Sequence, residues 1–291
     1  MNCPTITSAD PAHPDFFGEV RGINLREALN AQHVEAIERG MDKFAVLVFR
    51  GQAITNEQQI AFSRNFGEIE PAYGAPGDTV QAGRLPREIN DISNLDRNNL
   101  VLALNDRQRL YYLGNLLWHS DSSYKQVTAK YSMLSAHAIP DRGGDTQFAD
   151  MRAAWDSLDG ELREHVAALV CEHSRLYSRQ DLGFEFSADE VAKYAPIAHP
   201  LVRRHPVTGR LSLFLSAHGG AIRGMTLPEG RVLLMELKEH ATQWERVHTH
   251  VWKLNDLVMW DNRVTMHRGK RFPANQPRDL RRTTLMDTSP P

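Results

Sequence analysis

Short strand-like runs separated by turns restrict the fold of the chain after Leu116 more than any other feature. Each run is bounded by Gly, Pro, Asp or Asn, which is typical of strands joined by turns. The runs read YSMLSAHAI, PLVRRH, RLSLFLSAH, DLVMWDN and LRRTTL. Helical patterns interrupt them near residues 151–158, 161–171 and 228–242. This alternation predicts a mainly β fold with flanking helices, of the antiparallel-barrel or jelly-roll kind.

The N-terminal part of the chain combines helical patterns with one buried strand. Residues 28–44 carry apolar side chains at helical spacing, and the apolar run at 45–49 (AVLVF) predicts a buried strand. Thr55, with Gln58 three residues later, predicts the capped start of a second helix. No repeat or linker divides the sequence, so we expect residues 1–291 to form a single domain.

Residues 71–113 form the least regular stretch of the sequence. Glycines and prolines are frequent in its first half, and a polar run follows around residues 96–107. A long irregular segment inside a compact protein is often an active-site lid or a binding loop. We expect this segment to cover the active site, with a simple surface excursion as the alternative.

The charge balance and the cysteine content exclude several classes of protein. Lys and Arg number 34 and Asp and Glu number 36, so the net charge is −2. The chain therefore has no overall positive field to attract nucleic acid or an anionic membrane. Its two cysteines cannot build a disulfide framework, and no stretch approaches the ~20 apolar residues that span a bilayer. We expect a cytoplasmic protein without a nucleic-acid or membrane partner.

The motif WHSDSSY carries the main chemical signal. His119 and Asp121 are two residues apart, so on a strand both side chains would project from the same face. His267, in WDNRVTMHRG, follows another strand-like run and is the best candidate for a third ligand. Two histidines and one carboxylate on one side of a metal are typical of non-heme iron(II) oxygenases, which bind a cosubstrate and O2 at the open positions. The alternative for His119 and Asp121 alone is an ordinary hydrogen-bonded pair.

A cationic strand follows the third candidate ligand. If PRDLRRTTL is a strand, Arg278 and Arg282 share one face by its period of two. Two guanidinium groups in one space are costly unless anions neutralise them, and Arg binds carboxylates in a bidentate manner. The pair therefore suits a dicarboxylate cosubstrate and an acidic substrate, although solvated surface arginines are the alternative. Thr146 follows the Gly143-Gly144 pair, which predicts a tight turn able to bring its hydroxyl against a ligand.

The order of these motifs resembles that of the taurine/2,4-dichlorophenoxyacetate dioxygenase family. WHSDSSY, GGDTQFADMRAAWDSL, DLVMWDNRVTMHRG and PRDLRRTTL occur in the family's order, and within the family they most resemble the 2,4-dichlorophenoxyacetate dioxygenases. MDKFAVLVFRGQAITNEQQIAFSRNFG, EHSRLYSR and HPLVRRHP extend the resemblance from about residue 20 onward. The segment 71–113 resembles the family least.

The resemblance implies a double-stranded β-helix fold and a role for each motif residue. Fe(II) would be bound by three ligands: His119, Asp121 and His267. Three residues would form the 2-oxoglutarate pocket: Thr146, Trp260 and Arg278. Three more would lie near the substrate: Arg282, facing its acidic group, and Asn115 and His218.

The implied reaction consumes 2-oxoglutarate and O2 and hydroxylates an aryloxyalkanoate beside its ether oxygen, giving a phenol, glyoxylate, succinate and CO2. The same chemistry on a taurine-like sulfonate, or on a natural aromatic acid, stays open. A metal-binding β-barrel without catalysis would need neither the arginine pair nor Thr146, and a zinc hydrolase would need a general base near the triad. We also expect the enzyme to be a homo-oligomer.

Overall fold

We analysed a computed structural model of the chain, which describes residues 3–72 and 84–289. Its strands are β1 Thr5–Ser8, β2 Phe17–Arg21, β3 Val46–Phe49, β4 Asn90–Ser93, β5 Ala129–Ala138, β6 Thr146–Asp150, β7 Val170–His173, β8 Ile197–Pro200, β9 Val202–Arg204, β10 Leu211–Leu213, β11 Gly219–Ile222, β12 Val247–His250, β13 Leu257–Asp261, β14 Thr265–Gly269 and β15 Asp279–Met286. Its α-helices are α1 Ala31–Phe44, α2 Asn56–Arg64, α3 Arg107–Tyr112, α4 Met151–Asp156, α5 Gly160–Ala167, α6 Arg175–Gln180, α7 Ala188–Lys193 and α8 Leu227–Ala241. Two 3-10 helices span Leu113–Leu116 and Trp244–Arg246.

One large sheet is the frame of the molecule. Its seven strands lie in the order β1-β2-β3-β13-β5-β15-β4, and every neighbouring pair is antiparallel except β2 and β3. A three-stranded sheet, β12-β6-β14, carries His267 and Thr146. Smaller sheets, β11-β7-β8 and β10-β9, complete the topology.

Alternation along the strands builds a separate apolar layer on each face of the large sheet. Met133 of β5 and Met259 of β13 pack with residues of α1 and α2 on one face. Their neighbours Leu134 and Val258 point the other way and pack with Phe148 of β6. Successive strand side chains point to opposite faces, so a single strand supplies both layers. A third apolar cluster lies between α4 and α8.

Several local predictions are confirmed. Helix α1 begins at Ala31 because the Asn30 side chain accepts a hydrogen bond from the His33 backbone amide. The Thr55–Gln58 capping box is present at the start of α2. The apolar run at 45–49 becomes β3, which lies between β2 and β13 with all four of its residues buried.

Other local predictions are wrong. The helix predicted at 161–171 ends at Ala167, because the following residues form β7 and pair with β8 and β11. The segment around His119 and Asp121 is no continuous strand: His119 forms a single bridge to His267, and Asp121 begins a turn. The tertiary pairing of His119 with β14 sets this geometry, which a strand period cannot anticipate.

At the level of fold class, the molecule is a mixture of sheets and flanking helices, as predicted. The strands in residues 3–72 and 84–289 form no closed barrel. Within those ranges, no helix is both long enough and apolar enough to cross a membrane.

Candidate active site

His119, Asp121 and His267 converge in the interior. Backbone hydrogen bonds in both directions join His119 to His267 on β14, with N···O distances of 3.0 and 2.8 Å. The Asp121 carboxylate lies close to both rings: its oxygens are 3.9 Å from Nε2 of His119 and 3.8 Å from Nε2 of His267. One potential ligand atom from each residue lies within 4.8 Å of the others, and all three residues are buried. The predicted triad is therefore assembled.

The electrostatic state of the triad is the one that binds a divalent cation. Burial lowers the pKa of both His119 and His267, so both imidazoles are neutral at pH 7. Burial opposes ionisation of Asp121, but the Arg282 guanidinium, the two histidines and the hydrogen bond from Ser132 together outweigh it and lower the pKa of the carboxyl. Metal binding needs neutral imidazoles and an ionised carboxylate. Nδ1 of His119 lies 2.7 Å from the Leu117 carbonyl oxygen, which leaves Nε2 free for a ligand.

A hydrogen-bond network that the sequence analysis missed holds Asp121. The Ser132 hydroxyl on β5 donates to Oδ2 of Asp121 at 2.7 Å. The Asn262 side chain donates to the Ser132 hydroxyl at 3.0 Å and accepts from the Asp121 backbone amide at 3.1 Å. Trp260 Nε1 donates to the same Asn262 oxygen at 3.0 Å. Such outer contacts orient a metal ligand. Asn262 lay inside the motif DLVMWDN, but no spacing rule pointed to its role.

One side of the triad opens into a cavity of about 250 Å³, which we call the inner cavity. Its wall includes both histidines of the triad together with Thr146, Trp260 and Arg278. The three residues that the resemblance assigned to 2-oxoglutarate thus line one space beside the metal position. The Trp260 and His267 rings are in contact, with centroids 4.7 Å apart.

Arg278 is a buried cation whose nearest partners are neutral. Its guanidinium donates to the Gly144 carbonyl oxygen, with N···O distances of 3.0 and 3.3 Å. In the described part of the chain it forms no ion pair with a carboxylate, and burial lowers its pKa to about 10. A buried charge is costly without a counter-ion. The inner cavity is therefore suited to a ligand carboxylate.

The predicted Gly143-Gly144 turn positions the Gly144 carbonyl oxygen and the Thr146 hydroxyl. Both glycines have positive φ values, 68° and 76°, which only glycine adopts readily. A side chain at position 143 would collide with the Arg271 backbone carbonyl. Thr146 follows at the start of β6, and its hydroxyl accepts a hydrogen bond from Trp252 Nε1 at 3.0 Å.

A larger cavity of about 440 Å³, the outer cavity, also borders the triad. His119, Asp121, Asn115, His218 and Arg282 all line it, so every residue predicted to face the substrate is present. Arg282 also reaches the inner cavity, and its Nη1 donates to Oδ1 of Asp121. Arg282 therefore pairs with a residue of the triad, a contact that the sequence did not predict.

His218 and three missed residues, Tyr124, Arg175 and Arg179, form another part of the outer-cavity wall. The His218 ring meets the rings of His119 and Tyr124 edge-on, at centroid distances of 6.0 and 4.8 Å. Arg175 and Arg179 of α6 line the same wall. The motif EHSRLYSR contains both arginines, and their spacing of four was a usable signal, since it places them on one helical face.

The family follows from comparison with known proteins. Residues 8–284 match the family described as "Taurine catabolism dioxygenase TauD, TfdA family". The chain belongs to this family. It is 46% identical over 285 residues to the alpha-ketoglutarate-dependent 2,4-dichlorophenoxyacetate dioxygenase of Cupriavidus pinatubonensis, covering 96% of this chain and 97% of the relative.

Two further relatives agree. The (S)-phenoxypropionate/alpha-ketoglutarate-dioxygenase of Sphingobium herbicidovorans is 36% identical over 275 residues, covering 92% of this chain and 91% of the relative. The structure of AAD-2 in complex with Mn(II) and N-oxalylglycine has a TM-score of 0.90 and 48% identity, covering 100% of this chain and 98% of that one. The predicted TauD/TfdA family membership is thus confirmed, and the chain is a dioxygenase. The alternatives of a non-catalytic metal-binding barrel and of a zinc hydrolase are thereby disfavoured.

The segment 71–113 is only partly described. Residues 73–83 lie outside the described ranges. Of the rest, β4 pairs with β15, and Ile89, Ile92 and Tyr112 line the outer cavity. The segment therefore forms part of the cavity wall.

Proposed function

We propose that this dioxygenase uses Fe(II), 2-oxoglutarate and O2 to hydroxylate an aryloxyalkanoate, such as 2,4-dichlorophenoxyacetate, at the carbon next to the ether oxygen. The products are a phenol, glyoxylate, succinate and CO2. One observation carries the proposal: the triad lies where two cavities meet, and the inner cavity contains the buried, unpaired Arg278. The names of the relatives point the same way.

His119, Asp121 and His267 would hold Fe(II), since their donor set and protonation states suit it. When bound, Fe(II) and 2-oxoglutarate together activate O2 for hydroxylation of a C–H bond. Ser132 and Asn262 keep the Asp121 carboxylate oriented beside the two imidazoles.

Arg278 and Thr146 would hold the distal carboxylate of 2-oxoglutarate, with Trp260 as an apolar wall. Arg278 supplies a charged donor fork, and the Thr146 hydroxyl can donate to a ligand while it accepts from Trp252. N-Oxalylglycine, the molecule bound by AAD-2, has two carboxylates as 2-oxoglutarate does. A dicarboxylate in the inner cavity would provide the anion that Arg278 lacks.

Arg282 would bind the substrate carboxylate from the outer cavity, with Asn115 and His218 beside the substrate. Its Nε is buried and has no hydrogen-bond partner in the described ranges, so the guanidinium can donate to an anion while Nη1 stays on Asp121. Arg282 thus links the substrate's acidic group to the residue that holds the metal. The apolar side chains of Ile89 and Ile92 would exclude water from the space that holds the substrate's aromatic ring.

The next proposals concern the fold and the domain organisation. We propose a double-stranded β-helix, supported by the packing of Phe148 from the β12-β6-β14 sheet against one face of the large sheet. We also propose one domain over residues 1–291, with the segment 71–113 as a lid. A cytoplasmic location and a homo-oligomer remain predictions.

A product assay tests the proposed reaction. The enzyme with Fe(II), 2-oxoglutarate and O2 should release equal amounts of succinate and phenol from 2,4-dichlorophenoxyacetate. Sulfite from taurine, without phenol from any aryloxyalkanoate, would overturn the substrate assignment. If no organic acid stimulated succinate formation, neither an aryloxyalkanoate nor a sulfonate would be the substrate.

A further inference from the structure

Two arginines of α6 line the outer cavity, and neither forms an ion pair within the described part of the chain. Arg175 and Arg179 are four residues apart and both line this cavity. Arg179 is only 7% exposed. Across residues 3–72 and 84–289, neither arginine forms an ion pair with a carboxylate, although exposed arginines such as Arg39 and Arg210 do. Like charges at this helical spacing repel each other, so the pair is costly unless an anion binds there.

Neutral groups hold both side chains in place. Nη2 of Arg175 donates to the Tyr124 hydroxyl at 2.6 Å, and its guanidinium lies 4.3 Å from the centre of the same ring. Arg179 lies 4.6 Å from the centre of the Tyr111 ring and donates to the Ser178 hydroxyl at 2.9 Å. Aromatic faces and hydroxyls stabilise a cation but leave its charge in place.

The site has open donor capacity and space made for it. Nε of Arg179 is buried and has no hydrogen-bond partner among the described residues. Burial lowers the pKa of Arg179, and the positive charge of Arg175 acts in the same direction. Gly114 leaves room for the guanidinium, because any side chain there would collide with Arg179. An open donor on a buried, positioned cation is the arrangement that binds a carboxylate.

The pair is separated from the triad by a layer of side chains. A chain of contacts runs from the His119 ring through His218 and the Ser178 hydroxyl to Arg179. Arg282, in contrast, bonds directly to Asp121. In an aryloxyacetate the carboxylate is bonded directly to the carbon that is hydroxylated. This carboxylate must therefore stay close to the metal, where Arg282 can reach it. The α6 arginines are then left for a group farther along the substrate.

We propose that Arg175 and Arg179 form a second anion subsite and that the preferred substrate is a dianion, an aryloxyalkanoate whose ring carries a second carboxylate. This inference rests on the proposed function and specifies its substrate class. A substrate such as 2,4-dichlorophenoxyacetate fills only the subsite of Arg282. The subsite of Arg175 and Arg179 then remains without an anion.

Steady-state kinetics test the preference. The three ring isomers of carboxyphenoxyacetate should be compared with the matching methylphenoxyacetates, with kcat/KM as the readout. At least one carboxylated isomer should exceed its methyl partner by about tenfold, the scale of one charge-assisted hydrogen bond. Arg175→Gln and Arg179→Gln should each remove that advantage, whereas Arg39→Gln, an exposed charge change on α1, should keep it. A preference that is absent in wild type, or unchanged in both variants, would overturn the proposal.

A binding measurement separates this proposal from the proposed reaction. Calorimetry of the anaerobic enzyme with Fe(II) and 2-oxoglutarate should show at least one benzenedicarboxylate isomer binding about tenfold more tightly than benzoate. If Arg179→Gln fails to fold, Arg179→Lys replaces it in the test. This variant keeps the charge and should retain part of the difference in affinity. Dicarboxylate preference without turnover of any aryloxyalkanoate would support the subsite and reject the reaction. Turnover of aryloxyalkanoates with an uncharged ring, together with equal binding of mono- and dicarboxylates, would support the reaction and reject the subsite.

Discussion

The two cavities that meet at His119 are built from different kinds of structure. The ligand-binding groups of the inner cavity are tied to the sheets: Thr146 and Trp260 lie on β6 and β13, and Arg278 immediately precedes β15. The outer cavity takes much of its wall, apolar and charged, from residues 84–112, where loops surround the short elements β4 and α3, and another part from the short helix α6. Groups on strands hold their geometry, whereas loops vary without cost to the frame. The comparison indicates a fixed chemical side and an adjustable substrate side.

The largest effect should come from the triad, which both cavities share. His119→Ala or His267→Ala should abolish the charge-transfer band that Fe(II) and 2-oxoglutarate give in the anaerobic wild type. Metal affinity should fall by more than the roughly ten- to hundredfold typical of losing an outer partner. His165→Ala, an exposed histidine of α5, is the control. A normal band in either triad variant would contradict the metal assignment.

A change confined to the inner cavity should affect the cosubstrate alone. Arg278→Ala should raise the KM for 2-oxoglutarate about ten- to hundredfold, because a charged hydrogen bond to a buried carboxylate is worth about 1.5–3 kcal/mol. Arg271→Ala, an exposed arginine at the rim of the same cavity, should leave this KM nearly unchanged. An equal rise in the KM for the organic acid would show that the two cavities do not act separately.

Arg282 tests the boundary between the cavities. Arg282→Ala should raise the KM for an aryloxyacetate about tenfold, through loss of one charged contact, with little change for 2-oxoglutarate. It should also increase the succinate formed per phenol released, because a misplaced substrate is hydroxylated less often. Both products should be measured in the same reaction. Unchanged coupling and unchanged substrate KM would remove Arg282 from the substrate site.

The same contrast explains what the sequence could predict. Arg278 and Arg282 were found from period-two spacing, which holds along β15, and Thr146 from the Gly143-Gly144 turn before β6. The triad was found from its residue types and the order of the motifs, although His119 and Asp121 do not lie on one continuous strand. The bridge between His119 and His267 was missed, as was the Ser132–Asn262 network, because both arise from strands far apart in sequence. Pairing across a sheet is not encoded in any local period.

The outer cavity was the less predictable region for the same reason. Arg175 and Arg179 were visible in EHSRLYSR, but only the folded chain shows that they line the outer cavity and that neither forms an ion pair with a described carboxylate. The segment 71–113 was recognised as irregular, whereas its pairing through β4 with β15 was not foreseen. Irregular segments take their positions from tertiary contacts rather than from propensity.

The smallest effect we predict concerns the attachment of this segment to the frame. Arg84 bonds to Asp91 at 2.9 Å and to Asp279 of β15 at 2.7 Å, and the side chains of Arg84 and Asp279 are each only 8% exposed. Burial opposes ionisation of Asp279, but the bonds from Arg84 and Arg281 outweigh it and lower the pKa of its carboxyl. A carboxyl with a lowered pKa stabilises the fold above its unfolded value of about 3.9, and this contribution is lost as the pH falls below that value.

Arg84→Gln should therefore lower the free energy of unfolding by about 1–3 kcal/mol at pH 7, and the difference from wild type should shrink below about pH 4. Urea denaturation at pH 7 and below about pH 4 measures this difference in the free energy of unfolding. Arg64→Gln, which breaks an exposed ion pair, is the control. Hydrogen exchange should speed up in residues 84–113 and not in β6 or β13. The KM for an aryloxyacetate should rise a few-fold while that for 2-oxoglutarate stays constant. Equal acceleration of exchange in β13 would mean that the outer cavity is no more adjustable than the inner one.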